Sequence, residues 1–250
     1  MLLQQQQQPQ PQQQSSATLQ PLGVSPAEPA GAASPSDAAA AAAAGPSSSS
    51  GTTPRRLPDS PDDPDVVKVS SRSRVSSVAG KIAHDVRDGR LPRIMVAGNQ
   101  SISAAAKAIV QARRYLRAEG QDIAFSPIFR STDHSRSLLE LALVLMPRER
   151  GTAADNLAAL DNAGGHETRI ANSSRHARAG SAVAHQLRSR GICVLCSVGQ
   201  DALANAVMAC AHAGCFLGDS GQQMVVQPVH VVLHRGGQDL HAIKLVATFL

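Results

Sequence analysis

The sequence has no tryptophan, one tyrosine and four phenylalanines in 250 residues. With so few rings, base stacking on aromatic platforms is not expected as a binding mode. No run of ~18 or more apolar residues occurs, so no helical membrane span is expected. The start has neither the charged n-region nor the apolar h-region of a secretory signal. It is rich in Ser and Ala and poor in acid up to Glu28, as organelle transit peptides are, yet has no arginine before Arg55. Cytoplasm or nucleus is the expected location, with an organelle left open. No G-x-S-x-G or phosphate-loop motif appears, and no nucleophile, base and orienting group stand together. The chain therefore reads as no enzyme, with no catalytic residue and no cofactor assigned.

Cysteine is scarce and confined to one stretch: Cys193, Cys196, Cys210 and Cys215. Cys193 and Cys196 have the C-x2-C spacing of a zinc half-site. They fall in an expected strand, however, where residues three apart point to opposite faces. Buried free thiols fit better, and no metal site is assigned. A disulfide framework would require an oxidising compartment.

What is present is unevenly distributed. Residues 4–14 are all Gln or Pro, 38–44 are all Ala, and 47–50 are all Ser. Such stretches bury too little apolar surface to offset chain entropy, so 1–65 reads as a disordered tail. The tail carries 2 basic and 6 acidic residues, net −4. Residues 66–148 carry 14 basic and 6 acidic, net +8; 149–167 are net −3; 168–250 carry 7 basic and 3 acidic, net +4. A strongly basic unit favours a polyanionic partner, DNA or RNA, over a merely solvated surface.

Sliding the chain by 101 residues superposes it on itself. Lys68-Val69 falls on Arg169-Ile170, Ala83-His84 on Ala184-His185, Gly98 on Gly199, Gly120-Gln121 on Gly221-Gln222 and Pro127 on Pro228, without a gap. A period this long means one fold unit used twice. Domain one is placed at 66–148, a linker at 149–167 and domain two at 168–250. The repeats form either an intramolecular pseudo-dimer or parts of a homo-oligomer.

Each unit reads as β-α-β-α-β-β. In the first, 66–69 is a β-branched strand, and Ser76 or Ser77 can cap a helix with Val78, Ile82 and Val86 on its apolar side. Gly89 and Pro92 end that helix. Residues 94–97 form a strand closed by Gly98. A second helix over 100–117 carries Ile102, Ala105, Ala106, Ile109, Ala112 and Leu116 at helical spacing. Residues 123–129 form a strand made edge-like or bulged by Pro127, and 138–146 is the last strand. The second unit gives strands at 169–171, 192–198, 224–232 and 240–249 and helices at 180–190 and 201–217. Its hairpin is longer, with Gly236-Gly237 at the turn. The expected fold is a two-layer α+β sandwich, with a mixed sheet and both helices of each unit on one face.

Three regions are candidate sites. After the first strand, Lys68, Ser70, Ser71, Arg72, Arg74 and Lys81 combine cations, hydroxyls and a helix N-terminus, a set suited to phosphate oxygens. The alternative is an ordinary Ser-capped turn with solvated arginines. The hairpin tips carry Arg130, His134 and Arg136 in one unit and His230, His234, Arg235 and His241 in the other. They could track a backbone or be exposed polar turns. On the second helix, Lys107 and Arg114 lie opposite the apolar stripe, with Arg117 nearby. Their counterparts are Met208, Cys215 and Gly218. A face that exchanges charge for apolar groups reads as an association surface through Met208 and Cys215, or as drift of a surface helix. Arg175 and Arg178 extend the phosphate-binding set into the second unit. His84 and His185 occupy equivalent helix positions and read as packing or surface residues.

Lys68-Val-Ser-Ser-Arg-Ser73, Ser77-Val-Ala-Gly80 and Gly98-Asn-Gln-Ser-Ile-Ser-Ala-Ala-Ala-Lys-Ala108 resemble the stage V sporulation protein S family. In the second unit, Gly199-Gln-Asp-Ala-Leu-Ala-Asn-Ala-Val-Met-Ala209 and Ala242-Ile-Lys-Leu-Val246 are similar to that family's second helix and last strand. The resemblance covers 66–147 and 168–250. It implies an Alba-like domain in each unit, nucleic-acid binding and no catalysis. In Alba-like proteins the hairpin reaches along the minor groove, which the resemblance carries to the tips as an expectation. The second unit departs at its start, with Ala171-Asn172 for Ser70-Ser71 and Ala179-Gly180-Ser181 for Val78-Ala79-Gly80. The expected function is therefore sequence-independent grip on the phosphate backbone, mainly by domain one. A non-enzymatic scaffold using both repeats for self-association is the rival.

Overall fold

The computed structural model describes residues 65–130, 138–147, 155–158, 167–218 and 221–250. The expected tail, the tip containing His134 and Arg136, and most of the linker lie outside these residues.

Both repeats adopt the expected order. The first has β1 (Val66–Val69), α1 (Val75–Arg87), β2 (Arg93–Ala97), α2 (Asn99–Arg117), β3 (Ile123–Phe129) and β4 (Leu138–Leu145). The second has β5 (Thr168–Ile170), α3 (His176–Arg190), β6 (Ile192–Val198), α4 (Gln200–Leu217), β7 (Met224–Arg235) and β8 (Gln238–Phe249). Among the described residues, no helix is long and apolar enough to cross a membrane.

The strands form one eight-stranded sheet in the order β1-β2-β4-β3-β7-β8-β6-β5. Within each repeat the first two strands are parallel and the others antiparallel. The repeats join where β3 and β7 run antiparallel, with Phe125 opposite Val226. These two residues are equivalent under the 101-residue shift, so a pseudo-twofold axis passes through that pair. β3, read as edge-like or bulged, is thus the edge of its own repeat but interior to the whole sheet, and it pairs with β4 residue for residue through Pro127. Pro127 and Pro228 each follow the axial pair by two residues. Each lacks the N–H a neighbouring strand would need, and the join is a single residue pair.

One apolar core spans both repeats. Ile82, Ile94, Ile102, Ile109 and Leu141 belong to it with Val183, Leu195, Leu203, Val207 and Leu245. In α2 the buried residues follow the expected stripe. In α4 burial spreads much further, with Ala202 through Ala211 all buried. The reason is position: α4 packs on α2, α3 and β3 as well as on its own sheet. On another part of the sheet, Leu157 from a helical turn at 155–158 packs with Val194 and Val246.

One local reading changes and one holds. The cap position of α1 is Arg74, and no side chain caps the helix. The serines that matter are Ser70 and Ser73, which close the preceding turn: Ser73 N–H donates to the Ser70 carbonyl at 3.1 Å, and Ser70 N–H donates to Ser73 Oγ at 3.0 Å. The β7–β8 hairpin turns at Gly236 and Gly237, with φ of +58° and +76°. Two successive positive φ values make a tight hairpin that glycine adopts without strain.

Candidate nucleic-acid interface

Each repeat sends its first strand into a short turn that leads to its first helix. β1 and β5 are the outermost strands and run in opposite directions, so the two turns leave the sheet at opposite ends. In repeat one, Ser70, Ser71, Arg72 and Arg74 are exposed on this turn, as is Lys68 on β1. Ser70 Oγ and Ser73 Oγ lie 3.2 Å apart, and Arg72 N–H donates to Ser70 Oγ at 3.3 Å. The serines thus shape the turn while the arginine side chains project from it. Neither Arg72 nor Arg74 forms an ion pair with a described carboxylate. The first turn of α1 carries no acidic residue and no side-chain cap. Its N–H groups and positive dipole end therefore lie beside those two arginines.

Repeat two keeps the turn with different chemistry. Ala171 N–H donates to Ser174 Oγ at 2.9 Å, so the serine latch survives. Arg175 and Arg178 are exposed, and α3 likewise lacks an acid or a side-chain cap at its start. Asn205 of α4 donates to the carbonyls of Ala171 and Asn172 at 3.2 and 2.8 Å. That tie has no counterpart in repeat one, where the equivalent residue is Ala104. A groove of ≈ 1040 Å³ runs between this turn, the start of α4 and the hairpin, lined among others by Arg169, Asn172, His234 and Arg235, but also by Glu167 and Asp201.

Two expected phosphate ligands are tied to carboxylates. Lys81 donates to Asp85 at 2.9 Å, and Arg90 lies 2.9 Å from the other oxygen of that buried carboxylate. Lys81 keeps an exposed surface. Arg130 does not: its Nε donates to Glu140 Oε2 at 2.7 Å and a second N–H reaches the same oxygen. The Arg130 side chain is 12% exposed and that of Glu140 3%. Arg130 neutralises a carboxylate that the sheet buries, so it does not sit on an open hairpin tip as read. Arg136 lies outside the described residues.

The outer face of the second helix also differs from its expected layout. Lys107 and Arg114 are exposed, but they line a cleft against repeat two. Met208 is buried in the shared core and Cys215 is exposed. Met208 is therefore not an outward-facing residue, because α4 is covered on more sides than an amphipathic surface helix. Cys193, Cys196 and Cys210 are buried. Burial pushes the Cys193 and Cys196 thiols up to about 12 and Cys210 up as well, with Glu167 adding to the effect on Cys196.

The sequence reading missed the cross-repeat lock. Arg113, buried in α2, donates to Asp122 at 2.7 and 2.8 Å and also reaches the carbonyl of Pro228 in repeat two. Gln227 donates to Asp122 at 3.2 Å. In the opposite sense the lock is absent: the residues equivalent to Arg113, Asp122 and Gln227 are Gly214, Gln223 and Ser126. The signal was an arginine inside an alanine-rich helix next to its apolar stripe.

The family model of Stage V sporulation protein S matches twice, at residues 65–139 and 167–248. No curated protein matches the chain. The two matches together cover more than half of the sequence and coincide with the two repeats that share the sheet, so the chain belongs to the Stage V sporulation protein S family.

Proposed function

We propose that this protein is a non-enzymatic nucleic-acid-binding protein that holds phosphate backbones with little reading of base sequence, mainly through repeat one. The observation that carries this is the β1–α1 turn. Arg72 and Arg74 project from it without carboxylate partners among the described residues, beside a helix start that has no acid of its own. Cations and backbone N–H groups converging on one spot suit phosphate oxygens. The net charge of +8 over 66–148 supports the same reading, as does the family's Alba-like kinship. The scarcity of aromatic residues favours backbone contact over stacking. Ser70, Ser71 and Lys68 complete the site, with Arg175, Arg178 and Arg235 as a weaker counterpart in repeat two.

The test is fluorescence anisotropy with generic duplex DNA and single-stranded RNA at low and moderate salt. Binding at low salt that weakens steeply as salt rises is the expected result, because bound counterions are released on association. Absence of binding to either probe at low salt would overturn the reading and leave the self-association scaffold in its place.

A further inference from the structure

The duplication sets up an internal comparison. Two clefts lie where the second helix of one repeat faces the hairpin strands of the other. The first, of ≈ 420 Å³, lies between α2 and repeat two and is lined by Lys107 and Arg114 together with His230 and His241. The second, of ≈ 480 Å³, lies between α4 and β3 and includes Cys215 and Phe129. Under the 101-residue shift, Arg114 corresponds to Cys215, His230 to Phe129 and Lys107 to Met208. None of the described residues lining the second cleft is charged, and nearby the Phe129 ring packs on His212, with centroids 4.7 Å apart. One fold has thus produced one basic cleft and one neutral cleft.

The basic cleft has the make-up of an anion site. Lys107 and Arg114 are seven residues apart, two turns along one face of α2. Neither is ion-paired to a described carboxylate, and none of the described residues that line the cleft is acidic. On the opposite wall His230 and His241 stack with centroids 5.2 Å apart, and their facing ring nitrogens are 3.1 Å apart. Between these walls Val110 and Leu203 supply apolar surface. The volume falls within the ~300–1,000 Å³ of small-molecule sites. A basic rim over an apolar floor suits a ligand with a flat, weakly polar body and a compact anionic head. A phosphate monoester carries about −1.5 to −2 charges at neutral pH. An internal phosphodiester carries one, so the monoester gains more from the two cations, Lys107 and Arg114, with the paired histidine rings as hydrogen-bonding groups on the opposite wall.

We infer that this cleft binds a nucleoside phosphate monoester, either a free mononucleotide or the 5′-phosphorylated end of a strand. The site is separate from the turns that hold the backbone and could fail without them.

Titration calorimetry on the full chain tests it, using 5′-AMP against adenosine and a 5′-phosphorylated DNA hexamer against its 5′-hydroxyl form. In at least one of these pairs the phosphorylated member is expected to bind roughly tenfold tighter or more. Preference within the first pair identifies a free nucleotide, and preference confined to the second identifies a strand end. The double variant Lys107→Met with Arg114→Ala is expected to lose that preference, whereas Arg72→Ala with Arg74→Ala retains it. Should the double variant melt below the wild type, His241→Gln is read in the same way. Equal binding of both members in both pairs overturns the inference, and so does an unaltered preference in a correctly folded cleft variant. Either failure leaves salt-dependent duplex binding through Arg72 and Arg74 standing.

Discussion

Phe125 and Val226 face each other across the middle of the sheet and are the same position in the two repeats. Both are fully buried, so the seam between the repeats lies within a continuous core. The two repeats are accordingly expected to unfold together. Phe125→Ala should cost about 3–5 kcal/mol, the usual loss for truncating a buried aromatic residue. Urea denaturation followed by circular dichroism checks both points. Two separate transitions in the wild type would show that the seam does not couple the repeats.

The lock formed by Arg113, Asp122 and Pro228 should make stability depend on acid. Burial alone would raise the Asp122 carboxyl, but the Arg113 guanidinium outweighs it and holds the group below the usual carboxylate range. A group lowered in the folded state contributes its stability above its unfolded value of about 3.9 and loses it as pH falls through the folded value. Asp122→Asn is therefore expected to flatten the acid limb of a stability–pH curve. Arg113→Met should cost about 3 kcal/mol near neutral pH, because it leaves the largely buried carboxylate with only the more distant Arg117, 3.5 Å away, as its cation. Melting temperatures from pH 2 to 7 provide the measurement.

Gly180 is set by a close helix approach. A Cβ placed there would lie 2.5 Å from His212 Cβ and 2.7 Å from the Ala209 carbonyl of α4. Backbone cannot yield cheaply at such distances, so Gly180→Ala should destabilise by about 1–3 kcal/mol, as overpacking does. At the equivalent position repeat one carries Ala79, buried in the core, and the reciprocal Ala79→Gly should cost about 2 kcal/mol, from helix propensity and the loss of a buried methyl group together. Chemical denaturation of the pair separates the two effects.

Thiol chemistry should divide the cysteines. Cys215 is exposed, while Cys193, Cys196 and Cys210 are buried, the first two pushed up to about 12. Native protein is expected to react rapidly with a disulfide-exchange reagent at one thiol and, once unfolded, at four. Mass spectrometry after brief labelling should locate the modification at Cys215.

The salt dependence of DNA binding offers a numerical check on the proposed interface. Each phosphate contact contributes about −0.9 to the slope of log K against log salt. Replacing Arg72 and Arg74 by alanine should therefore reduce its magnitude by about two. An unaltered slope would remove the β1–α1 turn from the interface.

Local pattern carried much of this fold. The 101-residue match, the element order and the stripe on α2 depend on spacing alone, and spacing is written in the chain. What spacing could not supply was the environment between repeats. α4 is apolar nearly all round, so its periodicity does not say which face meets which neighbour, and Met208 reads as outward when it is enclosed. Pro127 marks an edge correctly for a lone repeat, but only pairing with β7 turns that edge into the middle of a sheet. Arg130, just past the end of β3, and Glu140 on β4 lie ten residues apart, and no helical or alternating rule joins them. The turn after the first strand was legible as a cluster of serines and arginines, but not its latch: Ser73 and Arg74 recur as Ser174 and Arg175, whereas Ser70 becomes Ala171, whose backbone N–H keeps the bond.

The outer strands β1 and β5 contain four and three residues. Strands this brief expose few unpaired backbone groups to a passing segment. Growth of the sheet by addition of foreign chains is thereby discouraged at both rims, by sparse backbone at the borders together with one exposed cation on each, Lys68 and Arg169.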